Sequence, residues 1–129
     1  MTPTPLRAGA VLGTALLVLA AAGCDFFSSS SPSSCTQSIQ PGIVVTVVDS
    51  VTGAFIADSA SGNIYSPAFA DTLSVGYPGQ TLEGAWERTG NFRVTVSRPG
   101  YNDWIQAGIV VTKDVCHVQT QRITARMQK

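Results

Sequence analysis

The sequence carries little charge and a single histidine. Lysine and arginine number 8, aspartate and glutamate also number 8 in 129 residues, and the formal net charge is zero. Proteins that bind nucleic acid or an anionic membrane by charge need an excess of basic residues, so we expect neither kind of binding. His117 is not part of a cluster of ligand side chains at the usual spacing, and we therefore expect no metal and no other cofactor.

The sequence also lacks a recognisable set of catalytic residues. The carboxylates that might pair as general acid and base are Glu83, Glu87, Asp103 and Asp114, and nothing in their spacing fixes the distance between them. Glu83 and Glu87 alternate with Trp86, so we expect both on the solvated face of one strand. We therefore expect the protein not to be an enzyme.

The only long apolar run lies near the N-terminus. Arg7 precedes apolar residues from Ala8 to Ala22. This run is shorter than the ~20 residues of a membrane-spanning helix and ends in small residues, which favours a signal peptide over residues 1–23. The run closes on Ala21-Ala22-Gly23-Cys24, which resembles the lipobox of bacterial lipoproteins.

The lipobox resemblance implies that the chain is cleaved before Cys24 and that the Cys24 thiol carries a diacylglyceryl group. The protein would then be exported and anchored to a membrane of the bacterial cell envelope, with the leaflet left open by Asp25. The alternative is an ordinary signal peptide whose cleavage site happens to precede a cysteine. Residues 24–40 are rich in serine and predict a flexible tether.

Two further cysteines remain once Cys24 is assigned to the lipid. In an oxidising compartment Cys35 and Cys116 are expected to form a disulfide, the alternative being two free buried thiols. A bridge closing a loop of about 80 residues removes on the order of 4 kcal/mol of denatured-state entropy.

Residues 41–129 show the alternation and turn residues of short strands. Helical periodicity is absent after Cys24, so we expect a single antiparallel β-sandwich of about seven strands. The expected strands cover residues 43–48, 54–57, 72–77, 82–87, 92–97, 104–112 and 116–127. Residues 58–67 show no clear period and predict a loop with at most a brief strand. Thr89-Gly90-Asn91 predicts a tight hairpin, and the last strand is expected to contain a bulge near Gln121 or Arg122.

Several of these segments resemble the carboxypeptidase regulatory-like family, whose domains have a transthyretin-like (prealbumin-like) fold. The resembling residues are Val47-Val48-Asp49, Thr52-Gly53, Ile56-Ala57-Asp58, residues 89–96 and Pro99-Gly100-Tyr101. The resemblance covers about residues 41–127. It implies a seven-stranded sandwich that serves as an accessory module of other envelope or surface proteins, and it names no ligand.

Aromatic residues near the second half of the domain are the candidates for binding. Trp86 shares its alternation phase with Leu82, which favours a place in the core. Tyr101 and Trp104 flank a turn, where rings are as often half exposed as buried. The loop of Tyr101, Asn102, Asp103 and Trp104 is therefore the candidate binding surface for an envelope protein partner. The alternative is a carbohydrate-binding module that uses the same loop.

Overall fold

The structure is a computed structural model that describes residues 34–129. The predicted signal peptide, the predicted lipidation site Cys24 and most of the predicted tether lie outside these residues. Within the described part every regular element is a strand, and no helix there is long and apolar enough to cross a membrane. The strands are β1 Ile43–Asp49, β2 Ser61–Ser66, β3 Phe69–Thr72, β4 Ser74–Val75, β5 Thr81–Gly84, β6 Gly90–Ser97, β7 Trp104–Val111 and β8 Gln121–Met127.

The strands form two four-stranded sheets, with the orders β4-β5-β1-β8 and β3-β2-β6-β7. This confirms an all-β fold consistent with a sandwich, but the strands number eight and one pair is not antiparallel. β8 runs parallel to β1, with Ile43 opposite Gln121 and Asp49 opposite Met127. The segment before β8 brings the chain to the end of the domain where β1 begins, so the two strands run in the same direction. Parallel neighbours require a crossover connection of this kind.

The core lies between the sheets and follows the alternation of the strands. Ile43, Val45 and Val47 of β1 are fully buried. In β6, Phe92, Val94 and Val96 are buried while the residues between them are exposed or partly so, which confirms the alternation expected there. On β7, Ile109 and Val111 are buried, as expected for one face of that strand.

The prediction of a loop at residues 58–67 is wrong, because most of this segment forms β2. β2 pairs with β3 on one side and with β6 on the other, and Ile64 is fully buried. Its other inward residue is Gly62, against which the Leu73 side chain packs. A strand whose inner face combines a glycine with a single large apolar residue shows little periodicity. The expected short strand at residues 54–57 is only an isolated bridge between Val48 and Phe55.

The middle of the chain has shorter strands than expected. β5 ends at Gly84, since Ala85 and Glu87 adopt left-handed φ values of 54° and 51°. Trp86 is therefore carried away from the core and is 41% exposed, so its predicted burial is wrong. The predicted hairpin at Thr89-Gly90-Asn91 is also wrong, because β5 and β6 belong to different sheets and Gly90 already lies in β6.

The last strand begins later than expected. Residues 116–120 form a loop and β8 starts at Gln121, so the change of apolar phase marks a loop boundary and the expected bulge there is wrong. An irregularity occurs instead between β6 and β7, where the register shifts between Phe92 and Val94. Gly108 of β7 has a φ of 72° at this point, which identifies a β-bulge.

Candidate functional site

The two ends of the sandwich differ in what they carry. We call the end where β1 begins the proximal end; it contains the loop 112–120 and the residues that lead into β1. The distal end is where β1 and β8 finish; it contains the turn 49–53, the loop 98–103 and residues 127–129. The seven residues of β1 separate the two ends by about 20 Å.

A disulfide closes the proximal end. Cys35 and Cys116 are bonded, with their Cα atoms 5.2 Å apart, which confirms the expected pairing. The bond attaches the residues before β1 to the loop before β8. The point at which the chain enters the domain is therefore fixed at the proximal end.

A relay of polar side chains lies beside this disulfide. His117 Nδ1 is 2.8 Å from Glu87 Oε1, and His117 Nε2 is 3.0 Å from Thr36 Oγ1. Glu87 also accepts the backbone N–H of Gln40 at 2.8 Å. The Gln40 N–H is the main reason that the pKa of Glu87 is lowered, with His117 and the Val118 N–H adding to it against a partial desolvation. The sequence predicts His117 within a strand at residues 116–127 and Glu87 on a solvated strand face. Both lie instead in loops that contact each other.

The order carboxylate, imidazole, hydroxyl is also that of a hydrolytic triad. Here the hydroxyl belongs to Thr36, whose Oγ1 also lies 3.0 Å from Ser38 Oγ. Of the three relay residues only Glu87 lines a groove. Two contacts of this relay, Thr36 with His117 and the Gln40 N–H with Glu87, join residues 36–40 to the body of the domain. We interpret the relay as a support for the proximal attachment.

The turn at the distal end is organised by Asp49, which is buried. Asp49 Oδ1 accepts the backbone N–H groups of Val51 at 2.8 Å and Thr52 at 2.9 Å. Its other oxygen, Oδ2, accepts the Tyr101 hydroxyl at 2.9 Å. These bonds, first the Thr52 N–H and then Tyr101, lower the pKa of Asp49 from 3.8 to about 2.

The four residues of the candidate loop are placed differently by the structure. Tyr101 and Trp104 are half-buried and pack against the core, whereas Asn102 and Asp103 are exposed. Above the Tyr101 ring lie the Arg98 guanidinium at 5.1 Å and the Lys129 ammonium at 5.5 Å from the ring centroid. The backbone N–H of Asn102 bonds to the Gln128 carbonyl at 2.7 Å, so the loop is joined to the end of the chain.

Two grooves open at the distal end. The larger, of about 470 Å³, lies over the turn after β1, and the smaller, of about 200 Å³, lies beside the candidate loop. Gln128 lines both grooves, so they form one surface. The larger is lined by Asp49, Ser50, Val51, Thr52, Gln128 and Lys129, and the smaller by Asn102, Asp103, Trp104, Ile105, Arg126 and Gln128. A third groove, of about 270 Å³, lies towards the proximal end, where Glu87, Arg88 and Phe69 line it.

Basic side chains at the distal end have no acidic partner. Within residues 34–129 the one ion pair is His117 with Glu87 at the proximal end. Arg126 and Lys129 are exposed at the rim of the two grooves, and the Arg98 Nε donates to a backbone carbonyl, that of Asp58. The sequence does not predict Arg126, Gln128 or Lys129 as site residues, because only the parallel pairing of β8 with β1 brings them beside the candidate loop.

Metal ligands do not converge in the described part of the chain: residues 34–129 contain no group of three or more His, Cys, Asp or Glu side chains able to hold a metal ion. Comparison with known proteins adds no assignment, since no protein family and no curated protein matches the chain.

Proposed function

We propose that this chain is a non-enzymatic, lipid-anchored protein of the bacterial cell envelope whose sandwich is an accessory module that docks a protein partner. The observation that carries the proposal is that the entry of the chain and the joined grooves lie at opposite ends of the domain. The disulfide fixes the entry of the tether at the proximal end, and the two joined grooves open at the distal end. A lipid on Cys24 would therefore attach the domain by the end opposite the grooves.

The charge of the distal end indicates the chemistry of the partner. Arg126 and Lys129 flank the grooves without an ion pair among the described residues. Two acidic residues lie at this end: Asp49, whose oxygens are occupied by Tyr101 and two backbone N–H groups, and Asp103, which is exposed in the smaller groove. A segment carrying exposed Asp or Glu side chains complements this rim, and such complementarity favours the rate and specificity of association.

Carbohydrate binding through the same loop is the competing proposal. A sugar stacks on the open face of an aromatic ring. The Tyr101 ring is instead half-buried, with Arg98 and Lys129 close to it, and its hydroxyl donates to Asp49. We therefore place protein docking first and treat glycan binding as an outcome of the test.

The anchoring half of the proposal is tested with Cys24→Ala in the full-length chain. We expect the wild-type protein to sediment with membranes and to incorporate labelled fatty acid, and the variant to do neither. Fatty-acid labelling of the variant equal to that of the wild type would overturn the assignment of Cys24.

The docking half is tested by cross-linking tagged full-length protein in its native membrane and identifying by mass spectrometry what co-purifies. Arg126→Glu reverses a charge at the distal rim and should remove a stoichiometric protein partner. Arg122→Glu is the matched control, since Arg122 is exposed on the same strand nearer the proximal end. Equal recovery with both variants, or recovery of glycan alone, would overturn docking at this surface.

A further inference from the structure

The four edges of the two sheets are not equally protected against pairing with another strand. Natural sheets protect their edges by keeping edge strands short or by placing charged residues on them. β4 has two residues, and β3 has four with Asp71 exposed. β8 carries Arg122 and Arg126, both exposed.

β7 is the long edge strand that has neither of these features, and the β-bulge at Gly108 is the one edge-protecting feature it carries. Its eight residues, WIQAGIVV, include no charge and no proline, and Ile105 and Val110 are 60% and 54% exposed. Within the described residues β7 pairs with β6 alone, and no backbone or side-chain hydrogen bond joins it to another element. An edge strand of this kind presents free N–H and C=O groups on its outer side.

The bulge at Gly108 makes the pattern of β7 symmetric about its centre. Before the bulge, Trp104 and Gln106 lie opposite the buried Val96 and Val94, so Ile105 points outward. After it, Ile109 and Val111 are buried and Val110 points outward. Five positions separate Ile105 from Val110, and in a regular strand they would lie on opposite faces. The extra residue at the bulge returns them to the same face.

We propose that the β7 edge binds the β7 edge of a second copy of this chain, in antiparallel orientation. The inward and outward residues of β7 are arranged symmetrically about its centre. Two copies of the strand that run in opposite directions therefore present matching residues to each other. In the register centred on the bulge, Ile105 of each copy lies opposite Val110 of the other. Residues directly opposite in an antiparallel pair share a face, so both outward apolar pairs form at once.

The absence of charge on β7 favours a second copy over a partner of different chemistry. Nothing on the strand repels an identical strand, and nothing on it provides an ion pair for an acidic or basic one. Gly108 is exposed with no atom within 4 Å of the position a Cβ would take, which leaves room for a second backbone at the bulge. This surface is separate from the charged distal rim, although Ile105 also borders the smaller groove.

The contact is small, so we expect it to depend on local concentration. Two short strand segments on either side of a bulge bury less than a stable interface of ~1,200 Å² or more. Confinement of both copies to one membrane raises their effective concentration without any new contact. Pairing is therefore expected in the membrane at native abundance and to weaken on dilution in detergent.

The register is tested with cysteine substitutions in the full-length chain in membranes. Ile105→Cys in one tagged copy and Val110→Cys in another place two thiols opposite each other at about 5 Å between Cα atoms, which suits a disulfide. The two Ile105→Cys thiols in a uniform sample lie about 16 Å apart and do not bond. We expect mild oxidation to link the mixed sample about tenfold more than either uniform sample.

The matched control pairs Ile105→Cys with Thr124→Cys, which is exposed on the other long edge strand, β8. Mapping of the Cys35–Cys116 bond in every sample verifies that the native disulfide is intact. Adding Ile105→Lys to the Val110→Cys copy should abolish the mixed link while leaving thermal unfolding unchanged. Equal linking in the mixed, uniform and control samples would overturn the proposal, as would a link in the uniform Ile105→Cys sample alone.

Discussion

The Tyr101 hydroxyl donates a 2.9 Å hydrogen bond to Asp49 Oδ2 and so joins the end of β1 to the loop before β7 across 52 residues. The other oxygen of Asp49 holds the turn that follows β1 through the Val51 and Thr52 N–H groups. One carboxylate thereby connects elements of both sheets at the distal end. The shape of the larger groove, which Asp49 and Thr52 line, depends on this connection.

Removing the Tyr101 hydroxyl should loosen the distal end without disturbing the core. Tyr101→Phe keeps the ring that packs against the core but removes the hydroxyl that donates a hydrogen bond to the Asp49 carboxylate. Hydrogen bonds to charged groups are worth more than neutral ones, so we expect the Tm at neutral pH to fall by about 5 °C. Tyr77→Phe is the matched control, because Tyr77 is 65% exposed and its hydroxyl makes no hydrogen bond within residues 34–129. Equal Tm values for the two variants would show that the Asp49 contact is not stabilising.

The low pKa of Asp49 predicts how stability depends on pH. A carboxylate whose pKa falls from 3.8 to about 2 on folding stabilises the folded state above the higher value. That contribution is lost as the pH falls from about 4 to about 2, so the free energy of unfolding should decrease across this window. Glu87 and Asp114 also have lowered pKa values and add to the decrease in the same direction.

The contribution of Asp49 to this pH dependence is measured by urea unfolding of Asp49→Asn at a series of acidic pH values. The variant should be less stable than the wild type at neutral pH and show a shallower loss on acidification. Asp103→Asn serves for comparison, since Asp103 is exposed and makes no side-chain hydrogen bond in the described part of the chain. A slope for Asp49→Asn as steep as that of the wild type would contradict the assignment.

The strands that the sequence predicts well are those whose inward positions are all large and apolar. β1 is a continuous β-branched run, and β6 alternates Phe92, Val94 and Val96 with polar residues. In each case the local pattern and the tertiary burial agree. β2 was not predicted because one of its inward positions is Gly62. The Leu73 side chain occupies the space that a Cβ at this position would take, so a residue without a side chain is required there. Local periodicity does not record such a requirement.

Pairing between distant strands could not be predicted from the sequence, for a different reason. The disulfide followed from counting cysteines, and the candidate loop from its aromatic residues and turn. The parallel neighbour of β1 and the Asp49 partner of Tyr101 depend on which end of the domain each loop returns to. That choice is made by the packing of the whole chain, so Arg126 and Lys129 could not be assigned to the distal rim in advance.

The unexpected strand β2 can be tested by its single large core residue. Ile64→Ala removes a fully buried side chain that lies between the sheets. The loss of apolar burial together with the cavity left behind should cost about 3 kcal/mol of unfolding free energy, measured by urea denaturation. Val51→Ala, at a position that is 91% exposed, should change it by less than about 0.5 kcal/mol. Similar small losses for both variants would restore the loop interpretation of this segment.

The Cys35–Cys116 disulfide should make two separate contributions. It should stabilise the folded domain, and it should attach the residues before β1 to the loop before β8. The two cysteines are 81 residues apart, and by the chain-entropy relation the bond contributes about 4 kcal/mol to the unfolding free energy. Cys35→Ala with Cys116→Ala should therefore unfold at a lower urea concentration than the wild type, and reductant should shift the wild type alone.

Amide hydrogen exchange distinguishes the two contributions of the disulfide. Without the bond, Thr36 is no longer held next to His117, and the Gln40 N–H, which donates to Glu87 Oε1, should exchange faster. Gly42 is still joined to the domain by its N–H bond to the Ala85 carbonyl, so β1 should keep its slow exchange. Retained protection of the Gln40 N–H in the double variant would show that the Thr36–His117–Glu87 relay holds the proximal attachment without the disulfide. Exchange throughout β1 would instead show that the bond maintains the fold itself.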